Sequence, residues 1–527
     1  MRMRWFGLLG MLVVFSCTSA LAQDVNFGPS IKVNDDTTTR NQLCPSLAVD
    51  REGNLYLAWL DLRNWDITGR GNIYFSSSFD GGRTWTKNIM IDPDRGAPTQ
   101  PQLEVDTLGN IYFVWSDEPR GEIYFSMSCD KGTTWTQAVR VNDLPPYAFG
   151  ARFTVDEDGV VYVIWSDERE GGYWNTDIYF TYSADSGSSW MPNVRVNDHP
   201  EADQMMADIA VDREGTIYVV WKDFRSGVKY DLYSAYSVDR GSTWTQNFVK
   251  VNNDDIDGYV VNYPSLVVDS NGGLSVVWTY CGRHTGGVYF SRSGNGGWSW
   301  TRTVKVNTDS IYQYSDPCLS IDAQGRLYVA WHALAVYPDS FHIYFSMSQD
   351  SGRTWLSPNI QVDEMDWGAL RPSLGAIKNG ELYIAWDEVK DSTGGADIYF
   401  SSDTVFSGIE EWRDNPAVIR DFRLYQNYPN PFNSSTTLNY TLPQVIGDRF
   451  KVKGGHNTSH LIPVTLKIYN ILGQEVRTLV DKKQYPGHYE VRWNGKDEQG
   501  KELTSGVYLY QLDVGGYRVT KKLVFLR

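Results

Sequence analysis

The feature that most constrains this chain is an eight-residue turn, Ser-x-Asp-x-Gly-x-Thr-Trp, which recurs six times with few changes. Consecutive copies close 50, 55, 54, 56 and 55 residues apart. Units of this length, made of short strands and turns, bury their faces only against neighbouring units. The period therefore predicts a ring of β-propeller blades. The closing residues are Trp85, Trp135, Trp190, Trp244, Trp300 and Trp355.

Two other repeated patterns raise the number of units to seven. The third strand of each unit begins with a motif such as Ile73-Tyr74-Phe75, and the second strand of each ends in a tryptophan. The seventh unit stops after Asp403 without its turn, and residues 27–35 match the fourth strand at 190–198. We therefore expect an all-β fold, a seven-bladed β-propeller closed by the N-terminal strand, which covers an open sheet edge. The tryptophans are Trp59, Trp115, Trp165, Trp221, Trp278, Trp331 and Trp386.

One unit divides cleanly into strands. In the second unit, alternation and β-branched or aromatic runs predict strands at 101–106, 110–116, 122–128 and 134–142. The repeated turn joins the third strand to the fourth. Its carboxylate can accept hydrogen bonds from its own backbone, and its glycine supplies a positive φ.

The acidic residue of this turn is interpreted as structural. A reaction needs different groups converging on one place, whereas this residue recurs in six nearly equivalent sites. One copy is an asparagine, which such a turn tolerates and a general acid does not. The residues are Asp80, Asp130, Asp185, Asp239, Asn295 and Asp350.

These turns resemble the Asp boxes of the sialidase-like BNR-repeat propellers, over nearly all of residues 24–403. The resemblance implies the fold more strongly than an activity, because one fold carries many functions. Sialidases of that family use six blades, an arginine triad, a tyrosine nucleophile paired with a glutamate, and an aspartate acid/base. Their Arg-Ile-Pro motif is absent from this sequence, so no catalytic residue is assigned.

A binding surface is expected on the loops opposite the Asp boxes. A repeated Trp-x-Asp-x-Arg pattern places arginines there, which either bind an anionic ligand or form structural ion pairs. Aromatic residues in neighbouring loops either stack on ligands or anchor the loops. The candidate ligand-binding residues are Arg63, Arg120, Arg169, Arg225, Arg283, Tyr147, Tyr259, Tyr312, Trp174 and Trp367.

A Val-Asn-Asp pattern recurs where each fourth strand ends. Its side chains either cap strand ends or supply oxygen ligands for Ca²⁺. The scattered cysteines have no metal-type spacing, and we expect no metal or other cofactor. A Cys281–Cys318 bridge and two unpaired core thiols both fit the sequence. The residues of the pattern are Asn34-Asp35, Asn142-Asp143, Asn197-Asp198, Asn252-Asn253 and Asn307.

The first 22 residues have the form of a signal peptide: a basic start, an apolar run from Trp5 to Phe15, and Ala20-Leu21-Ala22 before the expected cleavage point. A lipid-bearing Cys17 is the alternative. No other segment is long and apolar enough for a membrane helix. We therefore expect export through the inner membrane, to the cell surface or the extracellular medium.

Charge is divided unevenly along the chain, whose net charge is −16. Residues 418–527 carry +7 and the remaining residues −23. An acidic body repels nucleic acids and anionic membranes, which argues against both as partners.

Residues 404–417 read as a linker, and 418–527 as a small Ig-like β-sandwich with strands at 465–469, 487–493 and 507–512. The Asn427-to-Asn433 motif, Ile468-Tyr469-Asn470, Ser505 to Tyr508 and the terminal Lys521-Lys522-Leu523-Val524 closely resemble the C-terminal sorting domain of type IX secretion cargo. The resemblance implies an address read by outer-membrane secretion machinery. An accessory sandwich without a sorting role is the alternative. A Gly- and Lys-rich insert at 447–460 departs from the family pattern.

These features together predict an exported propeller that binds an extracellular glycan or protein through its loop face, without catalysis. Two alternatives stay open. One is a sialidase-type glycoside hydrolase with a non-standard active site, favoured by a tyrosine beside a glutamate and an arginine cluster in the central funnel. The other is a purely structural surface protein.

Overall fold

The computed structural model divides the chain into two compact units, Met1–Gly408 and Ile409–Arg527. The ordered structure is almost entirely β, with one helix, α1 (Trp65–Thr68), in the described part of the chain. No described helix is long and apolar enough to cross a membrane. The residues described are 25–92, 98–117, 120–144, 148–170, 175–245, 248–252, 260–281, 286–308, 314–334, 340–364, 368–376, 380–389, 395–403, 423–424, 427, 429–442, 462–470, 474–484, 487–514 and 517–526.

The first unit is the propeller, and its described residues form seven four-stranded antiparallel sheets. In chain order the strands of the first four sheets, preceded by β1, are β1 (Ile31–Lys32), β2 (Gln42–Val49), β3 (Leu55–Asp61), β4 (Asn72–Ser78), β5 (Ile89–Met90), β6 (Pro98–Val105), β7 (Ile111–Asp117), β8 (Glu122–Ser128), β9 (Val139–Arg140), β10 (Ala148–Val155), β11 (Val161–Asp167), β12 (Asp177–Ser183), β13 (Val194–Arg195), β14 (Gln204–Val211), β15 (Ile217–Asp223), β16 (Asp231–Ser237) and β17 (Val249–Lys250).

The remaining strands of the propeller are β18 (Val260–Val268), β19 (Leu274–Cys281), β20 (Gly287–Ser293), β21 (Val304–Lys305), β22 (Tyr314–Ile321), β23 (Leu327–Leu334), β24 (Phe341–Ser348), β25 (Ile360–Gln361), β26 (Ala369–Ala376), β27 (Leu382–Val389) and β28 (Ala396–Asp403). Each blade's first, inner strand contacts the inner strand of the next blade, and β26 contacts β2. The inner strands therefore surround a central channel.

The N-terminal strand closes the ring, as the sequence predicts. Strand β1 pairs with β28, with Ile31 opposite Phe400, so the last sheet has the order β1-β28-β27-β26. The backbone of Gly28 adds a 3.0 Å hydrogen bond to Ser402. Phe27 packs edge-on against Phe345, with ring centroids 5.2 Å apart.

The fourth strands are much shorter than predicted. In the second blade the sequence predicts a strand over 134–142, whereas β9 contains only Val139 and Arg140. The Asp-box turn occupies the preceding residues, where the backbone of Thr136 bonds to Met127. The first strand also differs, beginning three residues earlier, at Pro98.

The core lies between blades rather than inside them. The seven second-strand tryptophans are fully buried, and one buried cluster joins residues of two adjacent blades, such as Ala58 and Phe75 with Phe113 and Trp115. Because each sheet buries both faces against neighbours, the blades are stable only as a ring.

The Asp boxes are self-contained turns. The carboxylate of Asp130 accepts hydrogen bonds from the amide and hydroxyl of Thr134 at 2.8 and 2.7 Å, and from Ser128 Oγ at 2.8 Å. In the next box, hydrogen bonds from Ser189 lower the pKa of Asp185 to about 2. A general acid needs the opposite shift, so the geometry agrees with the structural interpretation.

Each box also locks its blade to the preceding one. Gly132 has φ +85°, and a Cβ there would lie under 3.0 Å from the ring of Phe75 in the blade before. The closing Trp135 packs edge-on against the same ring, with centroids 5.1 Å apart. The contact recurs at the Phe/Trp pairs Phe400/Trp85, Phe125/Trp190, Phe180/Trp244 and Phe290/Trp355.

One junction lacks its phenylalanine. The fourth blade has Ser234 at the equivalent position, and Trp300 of the fifth blade donates a 3.2 Å hydrogen bond to its hydroxyl. A Cβ on Gly297, the matching box glycine, would meet only Leu274 Cδ1 at 3.5 Å. A cavity of about 100 Å³ lies at this junction.

The second unit is a two-sheet β-sandwich, with sheet orders β29-β30-β33 and β32-β31-β34-β35. Two residues of the Asn427-to-Asn433 motif contact the core of this sandwich. The Asn427 N–H donates to Tyr510 Oη at 3.0 Å, and the ring of Phe432 packs on that of Phe525. The motif thus has a structural role in the sandwich. The strands are β29 (Arg423–Leu424), β30 (Thr436–Leu442), β31 (Ile462–Asn470), β32 (Glu475–Gln484), β33 (Gly487–Trp493), β34 (Gly506–Val514) and β35 (Tyr517–Phe525).

Several sequence predictions concern residues outside the described part of the chain. They include the signal peptide (1–22), the linker (404–417) and the insert (447–460). Cys318 is a free thiol, so the Cys281–Cys318 bridge that the sequence left open is not formed in the structure. Burial raises the pKa of the Cys318 thiol to about 12.

Candidate functional site

The arginines of the Trp-x-Asp-x-Arg pattern are held by the pattern itself. In the third blade, Asp167 Oδ2 accepts hydrogen bonds from Trp165 Nε1 at 2.8 Å and from Arg169 Nη2 at 2.6 Å, while Oδ1 accepts from the Arg169 amide at 2.9 Å. Arg169 Nη1 reaches Asp143 at 2.7 Å, and its guanidinium lies 4.1 Å from the centroid of the Tyr179 ring. The hydrogen-bonding groups and one face of this guanidinium therefore meet partners within the protein.

The first and fourth blades repeat this arrangement. Arg63 pairs with Asp61 and Asp35 and stacks on Tyr74, and its side chain is 17% exposed. The corresponding side chain of Arg225 is 14% exposed. Burial opposes ionisation of Arg63, but the hydrogen bond and charge of Asp61 outweigh it and raise the pKa of Arg63.

Arg120 differs from these three, because its side chain is 47% exposed and lies 3.7 Å from Asp117. The contacts of Arg63, Arg169 and Arg225 favour the ion-pair interpretation, and a ligand-binding role for the four arginines stays a prediction. The other candidates from the sequence lie outside the described residues: Arg283, Tyr147, Tyr259, Tyr312, Trp174 and Trp367.

The Val-Asn-Asp residues cap the third strands. Asn197 Oδ1 accepts the amide of Ile178 at 2.8 Å, and its Nδ2 donates to Asp177 and Gln204 at 2.6 and 2.8 Å. In the remaining blades two aspartates outside the Val-Asn-Asp pattern make the same contact, Asp92 and Asp363. The described residues contain no group of three or more His, Cys, Asp or Glu side chains placed to hold a metal. The expectation of no cofactor and the Ca²⁺ alternative both stay untested predictions.

In the sixth blade this cap includes a histidine. His342 Nδ1 lies 2.7 Å from Asp363 Oδ2, and its Nε2 lies 2.8 Å from Ser340 Oγ. The other oxygen of Asp363 accepts the amide of Ile343 at 2.7 Å, as in every blade. Asp177 in the third blade occupies the position of His342. His342, Asp363 and Ser340 therefore form a variant of the repeated cap. In the third blade Asn197 of the cap donates to Asp177 of the strand, whereas here His342 of the strand donates to Asp363 of the cap.

The blades differ most in the inner strands. Each inner strand contains a β-bulge near its loop-face end, shown by a register shift two to three residues after the first pair. Every bulge has one residue with positive φ, between 47° and 64°. Non-glycine residues rarely adopt this conformation, and it clusters at functional sites. We call these residues the bulge ring: Cys44, Gln100, Gly150, Met206, Tyr263, Asp316 and Arg371.

The bulge ring brings unlike chemistry to one end of the channel. Tyr263 is 36% exposed, and the side chains of Asp316 and Arg371 are 30% and 34% exposed. Arg371 forms a bidentate pair with the buried Asp387, both contacts being 2.7 Å. Burial raises the pKa of Asp316 to about 6, against the opposing charges of Arg371 and Arg152.

His332 supports this part of the ring from the second strand. Its Nδ1 accepts the amide of Arg371 at 3.3 Å and lies 3.6 Å from Asp316 Oδ2. Burial, and then the charge of Arg371, lower the pKa of His332 to about 4. The imidazole is therefore neutral at pH 7, with its proton on Nε2.

A second group of charges lies deeper along the inner strands. Asp208 accepts the amide of Leu266 at 2.7 Å, and Glu104 accepts the amide of Val155 at 3.0 Å. In other blades Ser46, Ser265 and Ser373 make the same contact as Asp208 with the next inner strand. Glu104 lies two residues further toward the Asp-box end of its strand, opposite Tyr112. These side chains satisfy the free backbone edges that face the channel.

Asp208 and Glu104 both have a raised pKa. Burial raises the pKa of Asp208 to about 6, opposed by Arg152. Burial and the charge of Asp208 raise the pKa of Glu104 to about 8. Arg152 makes one long hydrogen bond, 3.4 Å to the carbonyl of Ala151, and no carboxylate of the described residues lies within 4.0 Å of it. We call Glu104, Arg152, Asp208, Asp316 and Arg371 the channel cluster.

The channel cluster was not predicted from the sequence, because its members share no residue type. A weaker signal was present. Five of the seven bulge residues precede a proline, as in Cys44-Pro45 and Tyr263-Pro264. Proline inside a strand pattern indicates an edge strand or a bulge. The residue before each proline could therefore have been placed at the channel.

Comparisons with known proteins agree with the architecture. Residues 45–276 match the model of the BNR repeat-like domain, and residues 450–515 match that of the FlgD Ig-like domain. No curated protein matches this chain.

Solved structures are similar only at low identity. A protein of unknown function from Dyadobacter fermentans DSM 18053 is 16% identical, with 72% of this chain and 98% of that chain covered and a TM-score of 0.46. A GH93 α-L-arabinofuranosidase of Fusarium graminearum bound to arabinobiose is 16% identical, with 61% and 98% covered and a TM-score of 0.45. A PL25 ulvan lyase is 12% identical, with 71% and 95% covered and a TM-score of 0.48. These values carry no argument about function.

Proposed function

We propose that this protein is exported and binds an extracellular glycan at the loop-face end of its central channel. The observation that carries the proposal is the bulge ring, where seven equivalent positions carry seven different residues. A binding site needs such asymmetry, whereas the boxes, caps and Trp-x-Asp-x-Arg sets repeat from blade to blade. Polar and charged groups converging in a concavity suit the hydroxyl and acidic groups of a polysaccharide.

Arg152 provides the sharpest test of binding. Its guanidinium has no carboxylate of the described residues within 4.0 Å, so it can donate to a ligand without first breaking an ion pair. We expect Arg152→Gln to weaken binding of any glycan selected from an array by about tenfold or more. Arg213, 68% exposed and paired with Glu157, is the matched control, and Arg213→Gln should bind normally. Equal affinity of the two variants would place the ligand elsewhere.

A second candidate function is glycan cleavage. It is favoured by carboxyls of unequal pKa in one channel, Glu104 at about 8 and Asp208 and Asp316 at about 6. At pH 7 the first is mostly protonated, as a general acid requires, and the others are mostly ionised. Tyr263, which is 36% exposed at the bulge ring, is a candidate for the tyrosine of the expected set of tyrosine, glutamate and arginines.

Cleavage makes a distinct prediction about pH. Activity should rise through about pH 6 as a carboxylate ionises and fall through about pH 8 as Glu104 loses its proton. The purified chain would be assayed on aryl glycosides and on polysaccharides, with Glu104→Gln expected to abolish turnover while glycan binding persists. Binding without turnover on any substrate would leave the binding function alone.

We further propose that the C-terminal sandwich directs the chain to a type IX secretion system. The motifs named above support this role, and Phe432 also anchors the sandwich core. Exchange of the exposed Lys522 for Ser tests it, because this side chain can change without opening the core. Accumulation of the folded variant in the periplasm is the expected result. Normal display of this variant would argue for an accessory sandwich.

A further inference from the structure

The junction between the fourth and fifth blades contains a cavity where other junctions contain a ring. At five box junctions a phenylalanine of the preceding blade lies beneath the box glycine, and at the last junction Phe345 meets Phe27 instead. Ser234 is the exception, and the cavity of about 100 Å³ lies beside it. The cavity therefore lies where the other junctions hold an aromatic ring.

The walls of the cavity are mainly apolar. They include Tyr218, Leu266, Leu274 and the backbone of Gly297, while Trp298 forms part of the rim. Trp298 is 63% exposed, and its ring lies 5.8 Å from that of Tyr236, so solvent reaches this edge of the site. An engineered apolar cavity of about 150 Å³, somewhat larger than this one, stays dry and binds benzene.

The polar groups at the cavity do not require water. The Ser234 hydroxyl donates to Val249 O at 3.3 Å and accepts from Trp300 Nε1 at 3.2 Å. Both contacts are made within the protein, so a ligand without polar atoms leaves no group of this pair unsatisfied. Apolar contact and ring packing would then supply the affinity.

We propose that this cavity is a binding site for one six-membered aromatic ring. The site lies on the Asp-box face of the propeller, whereas the bulge ring lies at the opposite, loop-face end of the inner strands. The ring belongs either to a free aromatic molecule or to a phenylalanine side chain presented by a peptide. The site is independent of the proposed glycan function, so either can fail without the other.

Toluene and N-acetyl-phenylalanine amide serve as probes of the two sources. The full chain would be titrated with each by ligand-observed NMR and by thermal unfolding. We expect saturable toluene binding and a rise in unfolding temperature for the wild-type chain and for Ser234→Ala, which keeps the cavity open. Ser234→Phe should abolish both effects, because its ring occupies the site. Tighter binding of the amide than of toluene assigns the ring to a peptide, and binding of toluene alone assigns it to a free molecule.

Two results would overturn the proposal: no binding of either probe to the wild-type chain, or equal binding to Ser234→Phe. If Ser234→Phe fails to fold, Ser234→Leu fills part of the same space and should reduce affinity. Trp298→Ala changes only the rim and should weaken binding without destabilising the fold, since this side chain is mostly exposed. Unchanged affinity in both Ser234→Leu and Trp298→Ala would also place the probe elsewhere.

Discussion

The clearest test of how the blades lock together compares two glycines with the same backbone conformation. Gly132 and Gly297 occupy the same position in their Asp boxes, and both have φ +85°. A Cβ on Gly132 collides with the ring of Phe75, whereas a Cβ on Gly297 makes ordinary contact with Leu274 at 3.5 Å. The pair therefore separates the cost of the backbone conformation from the cost of the contact between blades.

The two alanine variants should differ in stability. An L-residue in this left-handed conformation costs about 1–2 kcal/mol, and both variants bear this cost. Forcing a methyl group into a packed junction adds about 1–3 kcal/mol for Gly132→Ala alone. We therefore expect a loss of about 2–5 kcal/mol for Gly132→Ala and about 1–2 kcal/mol for Gly297→Ala.

Denaturant unfolding of the full chain measures both variants, and the C-terminal unit contributes equally to each. Introducing Ser234→Phe restores the missing ring, so in that background Gly297→Ala should become as costly as Gly132→Ala. Equal losses for the two single variants would refute the contact between blades as the reason for glycine. An unchanged cost of Gly297→Ala in the Ser234→Phe background would refute the assignment of the empty site.

Three further perturbations test the caps, the ion pairs and the closure. Burial raises the pKa of Asp92 to about 8, so the fold favours its protonated form and stability is lost as pH rises from about 4 to 8. Asp92→Asn should equal wild type at pH 4 and be more stable by roughly 5 kcal/mol at pH 8, and a pH-independent difference would contradict this. Arg169→Met leaves the buried Asp167 without its ion pair and should lower the free energy of unfolding by about 3–5 kcal/mol. Arg120→Met, at a more exposed pair, should lower it by under about 1 kcal/mol, and similar losses would show that the Asp167–Arg169 pair is not structural. Phe27→Ala should lower the free energy of unfolding by about 2–4 kcal/mol, because it removes the contact with Phe345. Phe79, which is 53% exposed, is the control, and Phe79→Ala should have no effect. No effect of Phe27→Ala would mean that the N-terminal strand contributes little to closure.

The sequence predicted those parts of the fold that repeat. The box residues, the buried tryptophans and the third strands recur with little change, and the match of residues 27–35 to 190–198 located the closing strand. The lengths of the fourth strands were overestimated, because the β-branched residues after each box have a strand-like pattern. In the structure the box turn uses the first part of this segment, which leaves two paired residues, such as Val139 and Arg140.

The candidate site could not be predicted in the same way, because it depends on where unlike residues meet. Asp316 and Arg371 belong to different blades, and the charge of Arg371 reaches Asp316 only because the ring closes and each inner strand is bulged. Glu104 looks like an ordinary strand residue in the sequence. Its pKa of about 8 results from burial in the channel and from Asp208, which lies two blades away.

Repetition itself then separates structural from functional residues in this protein. Asp167 and Arg169 are charged and conspicuous in the sequence, yet their contacts recur in other blades and are complete within the protein. A group that satisfies the same local contact in each blade is fixed by the requirements of the blade, whatever the ligand. Residues at the bulge ring share only a backbone conformation, and their side chains are free to differ. Selection for a ligand can therefore act on Asp316 without disturbing the repeat, and for this reason we propose the channel as the binding surface of the propeller.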